Sequence, residues 1–285
     1  MLAAQFPAFH PHPEVVLLAS VIAASYAILL KRVGPRYVAP GTLPASRFQI
    51  TCFALGLSAM FLAAEWPIHD LAEGYLYSVH MVQHLTFSLV CAPLFLLGTP
   101  AWMARWVLRN DRAFRLVRFL SRFLPAIILF SVVVAFTHWP AFVDLTLRSG
   151  AVHFGAHALL LITSLIVWMP ILSPLPEIPR VVAPLKMLYL FLQTVLPTIP
   201  ASFLTMGDHP LYRRYELFPR LWGLSALDDQ QIAGLIMKIG SGLVLVTLIG
   251  VVFFKWAASE ESRNRPGRVH DDDLDRELDE LGLRA

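Results

Sequence analysis

Apolar positions along this chain come in long unbroken runs, and the runs have the length of a bilayer crossing. A lipid core is crossed by roughly 20 consecutive apolar residues in a helix, which satisfies its own backbone N–H and C=O groups where water is missing. Seven runs qualify, at about 14–30, 46–64, 75–97, 123–137, 152–172, 184–206 and 230–254. Together they occupy most of the 285 residues and leave no room for a sizeable soluble domain. The expected fold class is therefore an all-α membrane protein, a bundle of seven transmembrane helices. Residues 1–257 form the membrane domain and 258–285 an acidic cytoplasmic tail. Composition agrees: 15% of residues are charged, against about 25% in a soluble domain. The opening "MLAAQFPAFHPHPE" has no positive stretch ahead of the first run, so that run is expected to remain as a helix and not to be removed as a signal.

Charge sets the orientation. The odd-numbered connections carry Lys31, Arg32, Arg36 and Arg47; then Arg105, Arg109, Arg112, Arg115, Arg118 and Arg122; then Arg180 and Lys186. After the seventh run come Lys255, Arg263, Arg265, Arg268, Arg276 and Arg284. The even-numbered connections hold only Arg148, Arg213, Arg214 and Arg220. Because basic loops stay on the cytoplasmic side, the N-terminus is expected outside and the C-terminus inside. Tryptophans fit that frame as interfacial belts, with Trp66, Trp139 and Trp222 outer and Trp102, Trp106, Trp168 and Trp256 inner. The formal charge of +3 does not point to nucleic acid, since the basic residues are sorted by membrane side. The third connection, "WMARWVLRNDRAFRLVRFLSRF", reads as one basic helical face on an apolar back, suited to the anionic inner leaflet. The tail "HDDDLDRELDELGLRA" reads as a solvated segment or a short docking helix with Leu274, Leu278 and Leu281 on one face.

With the frame set, nine of the ten histidines fall on the outer side, and only His270 is inside. His80 and His84 lie in "YSVHMVQHLTF", inside the third run; His153 and His157 open the fifth. Residues four apart share a helix face, so each helix offers two imidazoles in one direction. Ionisable groups inside a membrane are expensive and mark function. If the helices adjoin, four imidazoles converge to hold a metal, with His138 a candidate fifth; imidazole suits copper, zinc and iron. His10, His12 and His209 read instead as interfacial hydrogen-bonding groups. Asp70 and Glu65 flank His69, where they either orient its ring or stand as solvated loop charges. Met81 follows His80 by one residue and points about 100° away from it. Cys52 and Cys91 read as small buried hydrophobes. In "LDDQQIAGLIMKIGSGLVL", Asp228 and Asp229 are expected to cap the seventh helix, Gly234, Gly240 and Gly242 to allow close helix contact, and Lys238 to snorkel.

The stretch "EWPIHDLAEGYLYSVHMVQHLTFSLVCAPLFLLGTP", the histidine pair opening a helix that ends in "WMP", and "DDQQIAGLIM" resemble the CtaG-type integral-membrane family of cytochrome c oxidase assembly factors, described with caa-type oxidases. The resemblance runs from about residue 45 to 255 and departs at Lys238, where the family commonly has an aromatic residue. It implies a seven-helix bundle in a bacterial cell (inner) membrane that serves the maturation of a haem–copper oxidase on its copper side. It also implies His80, His84, His153 and His157 as the site, with Asp229 and Met237 secondary. His138, His69 and Asp70 stay as possible ligands or supporting groups from the residue reading.

Four functions follow. The first is a non-enzymatic assembly factor holding copper, whose partners are oxidase subunits or other assembly factors and membrane lipid. The second is a haem-binding electron-transfer protein, for which Gly155 leaves space beside the second pair. The third is a seven-helix zinc hydrolase, which lacks a carboxylate base in the histidine-bearing helices. The fourth is a scaffold in which the histidines only shape the bundle. Copper is the expected cofactor.

Overall fold

The computed structural model describes residues 6–264 and 278–281. The described residues form helices and loops with no strand. In chain order these are α1 (Pro13–Arg36), α2 (Arg47–Ala64), α3 (Ile68–Gly74), α4 (Tyr77–Gly98), α5 (Ala101–Val107), α6 (Asp111–Leu120), α7 (Phe123–Thr137), α8 (Pro140–Thr146), α9 (Gly150–Leu172), α10 (Ala183–Met206), α11 (Arg213–Glu216) and α12 (Ala226–Ser262). Local chemistry sets several of the starts. Ser46 and Gln49 form a reciprocal capping box on α2, as Ser225 and Asp228 do on α12. Ser149 caps α9 through Val152 N–H, and Pro13 stands in the first turn of α1, where its missing N–H costs nothing.

Six helices are long and apolar enough to cross a membrane: α1, α2, α4, α9, α10 and α12. The fourth expected crossing is different. α7 has 15 residues, about 22 Å at 1.5 Å per residue and short of a roughly 30 Å core. It meets α6 at 85°, and only if that bent pair is one span does the number reach seven. The basic connection before it is not one helix either. Asn110 accepts from the Arg112 and Ala113 amides and starts a new helix, so the expected single face breaks into α5 and α6. On α6, Phe114 and Val117 pack on the core while Arg112, Arg115, Arg118, Leu116 and Phe119 are exposed.

α4 is the axis of the bundle, packed by α2, α3, α9 and α12. It winds as a π-helix over Thr86–Cys91, just after His84, and α12 does the same over Ile236–Gly240, which contains Met237 and Lys238. Such single-turn widenings gather at functional sites. Trp168, expected in the inner belt, is instead buried and donates its indole N–H to the Ser88 carbonyl in the α4 π turn at 2.8 Å. The reason is that π winding disturbs the regular carbonyl pairing, and a buried carbonyl needs a donor. Gly234 gives the close approach expected of it: a Cβ there would lie 2.6 Å from Thr205 Cγ2 of α10. Lys238 donates to Thr205 Oγ1 at 2.7 Å and does not simply snorkel. Cys52 and Cys91 are free and buried.

The connections sort to two ends. At one end Tyr26 reaches the Gly98 carbonyl, Trp102 the Pro44 carbonyl, and Arg105 pairs with Glu177. That end gathers the arginine-rich connections. The other end joins His12, α3, the start of α4, the end of α7 and the start of α9. The end of α12 is helical beyond residue 257, so the expected domain boundary falls within a continuous helix. Leu281 is exposed; most of the acidic tail, including His270 and Leu274, lies outside the described residues.

Candidate metal centre

The two histidine pairs converge. Ring centroids lie 4.2 Å apart for His80–His84 and 4.3 Å for His153–His157 within the helices. Across the helices they lie 5.4 Å apart for His80–His153, 5.5 Å for His80–His157 and 5.1 Å for His84–His157. Yet the four are not equivalent. One nitrogen each from His80, His84 and His157 lies within 4.8 Å of the others, a spacing that admits one ion, whereas His153 stands outside that group.

Hydrogen bonding explains the difference. His153 Nδ1 pairs with the Glu73 carboxylate, and its Nε2 lies 2.8 Å from His157 Nε2. A carboxylate only accepts, so Nδ1 of a neutral His153 carries the proton and Nε2 offers a lone pair. His157 Nε2 then donates, which leaves His157 Nδ1 as its lone-pair nitrogen. A carboxylate thus sets the tautomer of a buried imidazole through a second imidazole, an extension of the usual carboxylate–histidine support. Glu73 was not evident from the sequence, because His153 lies on a separate helix. It is also the carboxylate that a hydrolytic reading lacks, but it is engaged by His153 one ring away from the group of three. The Glu73 carboxyl sits below the usual range: burial pushes it up, and the hydrogen bond from His153 leads the causes that outweigh that.

His138 follows the end of α7, and its ring is 5.9 Å from that of His84. Its Nδ1 is 2.7 Å from the Val134 carbonyl, so the proton is on Nδ1 and the lone pair on Nε2. His138 Nε2, His84 Nε2 and His80 Nδ1 are all buried without a hydrogen-bond partner among the described residues. Each such buried polar atom costs about 1–3 kcal/mol while it stays unpaired.

Two cavities adjoin the cluster and share His84. The smaller, about 10 Å³, is lined by His80, His153, His157 and Tyr77. The larger, about 50 Å³, is lined by His84, His138, Met81, Met237 and Gln193 among others. Met81 therefore belongs to the site. It points away from His80, but it sits three residues before His84 and shares that residue's face. Gly155 has open space beyond it and is exposed on α9, so it makes no room beside the cluster.

Asp229 is fully buried, and its carboxylate does not cap its own helix, which Ser225 and Asp228 do. It accepts from the Tyr77 amide at 2.7 Å, the Ser78 amide at 3.1 Å and the Ser78 hydroxyl at 2.5 Å. It is the N-cap of α4, delivered from α12. The expected secondary role becomes a positioning one: Asp229 holds the first turn of the helix that carries His80 and His84. Tyr212 secures the other side by donating to the His138 carbonyl at 2.9 Å.

Asp70 does not orient His69. It faces His12 Nε2 at 2.9 Å and His10 Nδ1 at 3.8 Å, and these three are the second group whose ligand atoms lie within 4.8 Å of one another. Glu65 accepts the His12 amide at 3.0 Å. His12 is hydrogen-bonded, as expected of an interfacial residue: burial lowers its basicity, but Asp70 and Glu14 outweigh that and raise it. His69 stands between the two groups, its ring 4.6 Å from His12 and 5.8 Å from His153. Burial dominates there and, despite Glu73 at 3.5 Å, keeps His69 below the ordinary histidine range. His209 takes no part in either group among the described residues.

A family model described as cytochrome c oxidase caa3 assembly factor matches residues 24–259. No curated protein and no solved structure matches the chain.

Proposed function

The chain belongs to the cytochrome c oxidase caa3 assembly factor family, and from that premise we propose that it holds a copper ion at His80, His84 and His157 for delivery to a haem–copper oxidase. It acts as a non-enzymatic, multi-pass protein of the bacterial inner membrane, with the histidine end facing outward and the arginine-rich end in the cytoplasm. The observation that carries this reading is the convergence of ring nitrogens of His80, His84 and His157, with His80 Nδ1 and His84 Nε2 buried without partners among the described residues. His138 stands by as a further ligand. Copper is favoured over zinc because Cu²⁺ binds a given set of imidazoles more tightly than Zn²⁺ does; Met81 and Met237 line the cavity shared by His84 and His138. A bare ion is favoured over haem by space, since the cavities hold about 50 and 10 Å³ where organic ligands need roughly 300 Å³ or more. The oxidase subunits are the partners that a copper-holding assembly factor would meet, within the plane of the lipid.

Metal analysis and a visible spectrum of the purified protein test the reading. Near-stoichiometric copper is expected, and His80→Ala or His84→Ala should each weaken its retention by about tenfold or more. The double variant should lose little beyond either single one, because members of one coordination unit are not additive. Cells carrying either variant should insert the protein normally and lose oxidase activity. Retained copper and oxidase activity in His80→Ala and His84→Ala at normal protein level would sink the proposal, as would a stoichiometric Soret band in wild-type protein purified without added haem.

A further inference from the structure

We propose that His10, His12 and Asp70 form a second copper site, one that takes Cu²⁺ from water and passes it inward by ligand exchange past His69 and His153. The transfer direction rests on the inner-site reading above; the existence of the outer site does not. His10 and His12 also precede the range matched by the family, so this site draws on a part of the chain outside the family match.

The donor set comes first. Two imidazoles and a carboxylate present nitrogen and oxygen atoms within 4.8 Å of one another, with His12 and His10 ring centres 5.0 Å apart. Such a set suits a divalent ion, and Cu²⁺ binds most tightly of the common first-row ions to nitrogen and oxygen donors. Access comes second. The His10 side chain is 70% exposed and that of His12 only 10%, so the site is open on one side and walled on the other. Charge comes third. Glu65 and Glu14 add carboxylates around His12, and Glu65 Oε2 is buried with no partner of its own among the described residues. Negative groups around an opening concentrate a cation there.

Continuity turns a surface cluster into a route. Ring centres step from His12 to His69 at 4.6 Å, from His69 to His153 at 5.8 Å and from His153 to His157 at 4.3 Å. Glu73 flanks the middle of that path through His69 and His153. At each step an incoming imidazole forms a bond to the ion before an outgoing one releases it. No electron moves, and protons displaced from ring nitrogens go to the neighbouring carboxylates or to water. The donors change from charged at the surface to neutral and desolvated within. The outer site is therefore suited to capture and exchange, and the inner one to retention.

The test is Cu²⁺ alone, added to the purified full-length protein and followed by stoichiometry and electron paramagnetic resonance. Wild type should take up two equivalents, the faster one with nitrogen hyperfine structure. His10→Ala combined with Asp70→Asn should lose that fast equivalent, and the inner site should fill about tenfold more slowly or worse. Asp70→Asn keeps an acceptor for His12, and hydrogen exchange at the His12 amide checks that the segment stays docked. If the double variant undocks, His10→Ala alone decides, since that exposed ring makes only the 3.8 Å contact with Asp70. Undiminished fast uptake in the deciding variant overturns the proposal, as does a preference of this site for Zn²⁺ over Cu²⁺. His80→Ala with His84→Ala should keep the fast equivalent. If that variant keeps both equivalents, the inner reading falls while the outer site stands.

Discussion

The two histidine groups use the same side chain under opposite conditions. In the outer group His12 is hydrogen-bonded by Asp70 and Glu14, and the exposed ring of His10 lies 3.8 Å from Asp70. In the inner group His80 Nδ1 and His84 Nε2 have no partner among the described residues, and the Glu73 carboxylate acts through His153. An imidazole with both nitrogens paired, like that of His12, is stable when empty. A buried group whose nitrogens are unpaired carries a cost that only a ligand removes. The contrast teaches that hydrogen-bond satisfaction, more than residue type, separates the two groups.

Breaking the support of the inner group should have the largest effect. Asp229→Ala removes three hydrogen bonds to a buried carboxylate, each worth about 1.5–3 kcal/mol and not fully additive, so a loss of about 3–5 kcal/mol is expected. Thermal unfolding in detergent measures it. Inner-site copper should fall with stability, while Asp229→Asn should recover part of both. Sensitivity of the outer group to Asp229→Ala equal to that of the inner would erase the contrast between them.

A smaller effect of opposite sign sharpens it. His84→Leu replaces an imidazole with an unpaired buried nitrogen by an apolar group, so the metal-free protein should gain about 1 kcal/mol while losing the site. Denaturant unfolding of metal-free protein checks the sign, and a loss there would mean that His84 is already satisfied. The smallest effect concerns the outer group. His12 is raised in the folded protein, with burial opposing and Asp70 and Glu14 prevailing. The docking it provides is thus full below the ordinary histidine value of 6.5 and fades as pH rises through the raised value. Hydrogen exchange around His12 in metal-free protein should quicken over that interval. A flat profile would show that the docking is not carried by charge.

Most crossings were legible because about 20 apolar residues in a row admit few other meanings. α7 was the exception: its run is only 15 residues long in the sequence as well, and what hydropathy did not show is the sharp bend before it. The inner histidines were legible through their spacing of four, which needs no tertiary information. Their ranking was not, because the proton on His153 is set by Glu73 from another helix. Met81 was misread by measuring its angle from His80 alone, although its spacing to His84 was in plain view. Asp229 offered the right clue, an acidic residue at a helix start, and the wrong helix. The outer group depended on a docked N-terminal segment, which spacing in the sequence does not encode.

That cap has a consequence for how the protein is made. Asp229 stands 152 residues after Tyr77, whose amide it accepts. A ribosome releasing this chain into the membrane delivers α4 long before it delivers the carboxylate that anchors α4. Until the last long helix arrives, the first turn of the histidine helix has exposed amides and the imidazoles lack a rigid frame. A chain cut short before Asp229 would carry every histidine of the inner group and still lack the carboxylate that fixes the first turn of α4. The frame around the two histidine pairs is completed only once the α12 segment has been made, so the order of synthesis itself delays it.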